Sequence, residues 1–357
     1  VRLSGRSSDL SRIQMHQVAD AMRKLAPSAD VVMNFRESLG DRMVDDPLWA
    51  MPEKGVFTED FVEDLRSGRT DVVVHSWKDL PTEPRIGTRV VATLPRADVR
   101  DVLLVRRDLW DQVSDGSRIT ILSSSPRRAH NLGPFLAWAL PRRELAIEFV
   151  PVRGNVPTRL RKLIRGEHHG LVVAKAALDR LLTSTLPEME SMREGVRAAI
   201  DACNWMVLPV SENPTGAAQG ALAMEIADDC DPQIAALLAR LNDATTFEEA
   251  TCERDILRSY GGGCHQKIGV TVLTRRTIPI VSLRGVTDDG RVLDTVSWPD
   301  SDPWTARGEG FTWTSGLQNW RRLALLGTWV NGCAEGLGED EDPRVDAIAP
   351  RVEVLSR

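Results

Sequence analysis

DVVVHS, Asp71 to Ser76, runs directly into WKDLPT, Trp77 to Thr82. The unbroken Val72-Val73-Val74 run suits a strand covered on both faces, as in a parallel sheet flanked by helices. Pro81 then imposes a turn. A turn at the carboxyl end of such a strand is where side chains, here Lys78 and Asp79, emerge into a ligand crevice.

The same alternation recurs outward from this strand. Apolar runs predict strands at Val102 to Val105, Ile119 to Leu122, Ile147 to Val152 and Gly170 to Ala174, with helices at Arg127 to Leu140, Val156 to Arg165 and Ala176 to Leu182. Leu10, Ile13, Val18, Met22 and Leu25 fall near helical spacing behind Ser8, an N-cap candidate. Thr246 to Glu249 has capping-box spacing and opens a helix reaching Arg258. From Ile268 the segments IGVTVL, PIVSLRGV and RVLDTVSW, joined by turns such as Asp288-Asp289-Gly290, predict an antiparallel sheet. The fold class is therefore α/β. Two polar connections, Pro95 to Asp101 and Ser211 to Gly216, would let the chain cross between two α/β lobes and return, with a hinged cleft between them as the ligand site.

With 357 residues and 42% hydrophobic content, the chain can build real cores. Its five cysteines show neither CxxC nor zinc-ligand spacing, which fits a reducing cytoplasm. No apolar run is long enough to span a membrane, and Val1 to Leu10 lacks the pattern of a signal peptide. A net charge of −6 argues against nucleic acid as a partner. Basic residues nonetheless crowd between Arg118 and Arg165, which implies a local anion site.

Individual residues carry the chemistry. A carboxylate at the Asp79 turn can accept hydrogen bonds and stabilise a developing cation; the plain alternative is a Lys-Asp surface pair. Ser123, Ser124 and Ser125 stand at a strand-to-helix turn, where hydroxyls and backbone N–H groups suit an anion. Arg127 and Arg128 follow in the first helical turn, where cations are disfavoured unless an anion compensates. Arg142, Arg143, Arg161 and Arg165 are read as solvated. Cys264 follows Gly261-Gly262-Gly263, which leaves its thiol on a permissive loop, and a thiolate there is a competent nucleophile. Cys203, Cys230, Cys252 and Cys333 are read as small, mostly buried side chains. His75 is read as a satisfied core histidine. His168, His169 and His265 lack partners at metal-ligand spacing, so no metal is expected.

Four segments in order, VVVHSWKDLPT, SSSPRRA (Ser123 to Ala129), VRGNVPTRLRKL (Val152 to Leu163) and GGGC (Gly261 to Cys264), resemble the porphobilinogen deaminase (hydroxymethylbilane synthase) family. The likeness runs from about Arg2 to about Trp298. It implies three domains: two lobes like periplasmic binding proteins, 1–96 with 217–236 and 97–216, and a small α+β domain, 237–300. It also implies a cytoplasmic transferase of tetrapyrrole (haem) biosynthesis, acting as a monomer. Such an enzyme joins four porphobilinogen molecules head to tail into hydroxymethylbilane, releasing ammonia, on a covalent dipyrromethane primer. By the resemblance Asp79 is the catalytic carboxylate and Cys264 carries the dipyrromethane. Arg6, Ser8, Lys78, Ser123, Ser124, Ser125, Arg127, Arg128, Arg153, Arg159 and Arg180 bind the carboxylates of substrate and primer. Uroporphyrinogen-III synthase is the implied recipient of the product.

Departures from the family pattern cluster near these residues: Ser7, Leu39, Leu122, Pro126, Ala177 and Ala218, three of them replacing glycines. They motivate a second reading, a non-catalytic tetrapyrrole- or anion-binding paralogue. The retention of Asp79, Cys264 and the six arginines favours a working enzyme. Residues 301–357, with the acidic run Glu339 to Asp342, receive no role from the sequence.

Overall fold

The computed structural model describes residues 1–37, 59–262, 266–275, 278–296, 305–308, 311–334 and 344–349. Cys264, His265, Leu39, most of Lys54 to Asp60 and the acidic run lie outside the described residues. Contacts divide the chain into two compact units, Val1–Ala97 with Ala218–Gly263, and Asp98–Ala217 with Cys264–Arg357. Of the three crossings, one falls within the polar stretch Pro95 to Asp101, one just past Gly216, and the third between Gly263 and Cys264. The helix Ala244–Ser259 groups with the first unit and the later antiparallel sheet with the second.

The first unit holds β1 (Arg2–Arg6), β2 (Val32–Arg36), β3 (Val72–Ser76), β4 (Thr88–Ala92) and β10 (Leu222–Ala227), ordered β2-β1-β3-β10-β4. β1 is parallel to both its neighbours, whereas β10 runs antiparallel to β3 and β4. Helices α1 (Asp9–Leu25), α2 (Glu59–Arg66), α8 (Pro232–Leu241) and α9 (Ala244–Ser259) accompany this sheet. The apolar face of α1, through Met15, Val18, Ala19 and Met22, buries against Leu3, Val72, Val74 and Met224. Each of the Met, Val and Leu side chains removed from water contributes about 1.5–3 kcal/mol.

The second unit repeats the plan with β5 (Asp101–Arg106), β6 (Arg118–Leu122), β7 (Ala146–Val150), β8 (Gly170–Ala174) and β9 (Cys203–Val207), ordered β7-β6-β8-β5-β9. Here β6 has parallel neighbours on both sides, and β5 is antiparallel to β8 and β9. In each sheet the antiparallel fourth strand is the one that begins just after a crossing. The helices are α3 (Arg107–Trp110), α4 (Pro126–Ala139), α5 (Val156–Arg165), α6 (Lys175–Thr183) and α7 (Glu190–Asp201). Ser125 caps α4 by accepting from Arg128 N, and Asn155 caps α5 by accepting from Thr158 N.

Strands β11 (Gly269–Arg275), β12 (Ile278–Val286) and β13 (Val292–Val296) form the expected antiparallel sheet. Beyond them, β14 (Thr305–Gly308), β15 (Phe311–Thr314) and β16 (Gly332–Cys333) form a mixed sheet, joined by α10 (Leu317–Leu325). This part is core of the second unit. Trp320 is fully buried, meets Phe135 edge-on at 5.4 Å and donates from Nε1 to Ala139 O at 3.2 Å.

Two local expectations are corrected. The cap of α9 is Asp243, whose carboxylate accepts from Thr246 N at 2.8 Å; Thr246 therefore lies inside the helix, and an Asp placed three residues earlier outcompetes it. Ser8 occupies the N-cap position of α1 with extended backbone, but its side chain makes no capping bond.

Candidate active site

In each unit the candidate residues gather where parallel strands end. Arg6 is the last residue of β1, with Ser8 opening α1, and Lys78 and Asp79 form a 3-10 turn (Trp77–Asp79) directly after the adjacent β3. In the second unit Ser123, Ser124 and Ser125 follow β6, Arg153 follows β7, Arg159 lies on α5, and Arg180 lies on α6 behind β8. The carboxyl edge beside a strand with parallel neighbours on both sides is the usual ligand position in such sheets.

Asp79 is exposed and Trp77 before it is buried, so the turn is anchored at its start and presents its carboxylate outward. Lys78 is half-buried and donates from Nζ to Gln219 Oε1 at 3.2 Å. His75, on β3, is a satisfied core residue, its Nε2 2.9 Å from Glu225 Oε2, while Thr88 donates to the other oxygen at 2.7 Å. Burial alone would raise the Glu225 carboxyl, but the His75 and Thr88 bonds and the nearby Arg85 bring it down to about 2.

The serine turn is locked by its own hydroxyls. Ser124 Oγ donates to Val152 O at 2.6 Å and accepts from Val152 N at 2.8 Å, tying the end of β6 to the segment after β7. Ser123 Oγ accepts from Ser125 N at 3.3 Å. The anion that the Arg127-Arg128 pair requires is supplied by the protein itself. Fully buried Asp101 receives Arg127 Nη2 at 3.1 Å, Arg128 Nε at 2.9 Å, Arg128 Nη2 at 2.6 Å and Asn213 Nδ2 at 2.9 Å. Two guanidinium groups against one carboxylate leave the turn net positive. Arg127 also donates to Asn213 Oδ1 and Pro214 O, and burial pushes its guanidinium down from the ordinary arginine value.

Arg153 and Arg159 are half-buried, and Arg159 Nε donates to Gly154 O at 2.7 Å. Arg180 is buried, and burial pushes it down to about 10 despite the adjacent Asp179. Sequence reasoning missed the acidic partners: Asp101, Asp98 with Arg100 and Lys175, and Glu253. Burial would raise Asp98, yet Arg100 at 2.6 Å and Lys175 at 3.6 Å hold its carboxyl well below the usual range. Nothing in the local sequence around Asp98, Asp101 or Glu253 distinguishes them from surface acids.

Four of the departures from the family pattern, Leu122, Pro126, Ala177 and Ala218, are accommodated. Pro126 is the first residue of α4, where a missing N–H costs nothing. Leu122 is buried in β6, and Ala177 is buried within α6. Ala218 keeps a backbone that favours glycine, with φ 63°, and its N–H donates to Glu253 Oε2 at 2.6 Å. Among the cysteines, Cys203 and Cys333 are buried as expected, and burial pushes the Cys203 thiol up to about 12. Cys252 is exposed and Cys230 half-buried, which corrects the reading of these two as core residues. Among the described residues no group of three or more His, Cys, Asp or Glu is placed to hold a metal, and no helix is long and apolar enough to cross a membrane.

Each of the two α/β units thus carries cations and hydroxyls at its strand ends. The family model described as porphobilinogen deaminase, dipyromethane cofactor binding domain, matches residues 1–235. Porphobilinogen deaminase of Synechococcus elongatus is 33% identical over 306 residues, 85% of this chain and 88% of the relative. Porphobilinogen deaminase of Burkholderia orbicola is 33% identical over 81% of this chain and 78% of its own, and the probable porphobilinogen deaminase of Methanopyrus kandleri 33% identical over 77% and 83%. Among solved structures, the periplasmic aliphatic sulphonate binding protein SsuA from Escherichia coli matches with a TM-score of 0.35 at 12% identity, covering 72% of this chain and 70% of that one, too slight a likeness to argue from. The chain belongs to the porphobilinogen deaminase family. It is an enzyme of that family, a transferase of porphyrin biosynthesis whose matched domain is the one that binds the dipyrromethane cofactor.

Proposed function

We propose that this enzyme condenses four porphobilinogen molecules head to tail, releasing ammonia at each addition, on a dipyrromethane held through Cys264, and that water then cleaves the bond between the four-pyrrole chain and the dipyrromethane to free linear hydroxymethylbilane. The observation that carries the reading is the approach of two chain segments within the first unit. Gly262, two residues before Cys264, has φ +60°, and a Cβ there would lie 2.3 Å from Thr82 Oγ1. Gly262 thus comes close to Thr82, three residues past Asp79, so the chain that leads toward Cys264 passes near the segment bearing Asp79, and proximity of that kind favours joining a held primer to an activated substrate.

The donor set suits the cofactor. Carboxylates are matched by cations and hydroxyls at strand ends in each unit taken by itself: Arg6, Ser8 and Lys78 in the first, and the net positive Ser123 to Arg128 turn, Arg153, Arg159 and Arg180 in the second. When bound, the dipyrromethane supplies the pyrrole terminus to which the first substrate is joined. Cys264 contributes a thiolate, the form that makes the thioether. Asp79, exposed on its turn, accepts the pyrrole N–H and stabilises the methylene-pyrrole cation left when ammonia departs from porphobilinogen. Lys78 and the arginines hold acetate and propionate groups, which fixes the substrate's orientation before the bond forms.

The test is incubation of the purified protein with porphobilinogen, followed by oxidation and detection of uroporphyrin. Uroporphyrin, with one ammonia released per porphobilinogen consumed, is the expected result. Binding of porphobilinogen with neither product would refute the reading.

A further inference from the structure

Arg254 lies on α9, ten residues before Cys264, and its guanidinium points at the backbone of the turn that bears Asp79. Nη1 donates to Trp77 O at 3.3 Å and to Leu80 O at 3.1 Å, and Nη2 donates to Pro81 O. Those three carbonyls bracket Asp79 on both sides. A planar fork with fixed donor directions can hold three acceptors in one arrangement, whereas the single ammonium of a lysine cannot.

The same helix leads directly into Gly261 and Gly262. Gly261 N donates to Arg258 O at 2.9 Å and Gly262 N to Leu257 O at 3.1 Å, so the loop leaves α9 in a set direction and reaches Thr82. Glu253, one residue before Arg254, is fully buried and receives Arg96 Nη2 at 2.7 Å and Ala218 N at 2.6 Å, which fixes α9 to the rest of the unit. α9 therefore anchors both the turn and the loop.

We propose that Arg254 is a positioning residue: by clamping the carbonyls of Trp77, Leu80 and Pro81 to α9 it sets where the Asp79 carboxylate stands within the first unit. The inference rests on the roles proposed above for Asp79 and Cys264. A misplacement of about 1 Å costs on the order of a hundredfold in a reaction that depends on alignment. A purely structural arginine would change the amount of folded protein and leave the turnover of each folded, cofactor-loaded molecule alone.

The experiment compares parent, Arg254→Ala, Arg254→Lys and Asp79→Asn, each normalised to its dipyrromethane content by mass spectrometry. Porphobilinogen consumption is measured with and without millimolar guanidinium ion. The expected result is a kcat at least tenfold lower in Arg254→Ala with KM within about threefold of parent, partial recovery with guanidinium ion, and little recovery from the lysine replacement. Parental kcat per loaded molecule in Arg254→Ala would overturn the proposal. Should that variant fail to fold, parental kcat in Arg254→Lys would do the same. Asp79→Asn separates the two layers: normal turnover there defeats the assignment of Asp79 itself, whereas slow Asp79→Asn beside normal Arg254→Ala defeats only the clamp.

Discussion

Replacing Asp101 by Asn keeps the shape of the side chain and removes its charge at a fully buried point where four donors converge. Two guanidinium groups would then share a low-dielectric site without a counter-charge, and the new amide N–H₂ would face donors. Removing one partner of a buried ion pair costs about 3–5 kcal/mol, against about 0.5–1.5 kcal/mol for a typical neutral hydrogen bond. The charge effect therefore decides the outcome. At roughly 2–4 °C per kcal/mol for a domain of this size, the loss should lower the melting temperature by roughly 10 °C. Calorimetry on Asp101→Asn gives the shift, with Asp108→Asn as the control. Asp108 is paired to Arg106 but exposed, and such pairs contribute less than about 1 kcal/mol. If Asp101→Asn melts within about 2 °C of the parent, the buried pair is not what holds the Ser123 to Arg128 turn. The same geometry predicts that Arg127→Leu and Arg128→Leu lose stability along with ligand affinity, so their activities need normalising to folded protein.

Asp79→Asn, with cofactor content matched, should lower kcat by at least about a hundredfold, the effect of removing one well-placed electrostatic group; single-turnover consumption of porphobilinogen reads it, and parental turnover would make Asp79 a structural residue. Glu225 lies at about 2 instead of its ordinary 4.5, so its folded-state interactions favour the charged form. That stability, about 3 kcal/mol, is fully present above pH 4.5 and is lost as pH falls toward 2; Glu225→Gln should flatten acid unfolding over this window, and an unchanged acid profile would contradict the assignment.

Much of the scaffold was legible because it follows from local patterns. Gly170–Ala174 is a five-residue apolar run between polar neighbours, and Val156–Arg165 opens with Asn155 and a proline, so both elements fall on their predicted bounds. Other features depend on distant partners. Arg127 and Arg128 look like a free anion site until Asp101, 26 and 27 residues earlier, is brought beside them by β5. Thr246 and Asp243 both have cap chemistry, and only backbone geometry decides between them. Trp320 carries no sign in its own segment that it completes a core around Phe135. The clamp of Arg254 on backbone carbonyls is equally invisible, because carbonyl acceptors leave no trace in the residue types.

The central claim is that the chain builds its product on a dipyrromethane joined to Cys264. Intact-mass measurement of the active protein, with mapping of the peptide that contains Gly261 to Cys264, tests it most directly. The account predicts a two-pyrrole adduct on Cys264 alone and its loss in Cys264→Ser, since a hydroxyl is a far poorer nucleophile than a thiolate at neutral pH. Active protein with an unmodified Cys264, or with the adduct on Cys252 or another cysteine, would contradict it.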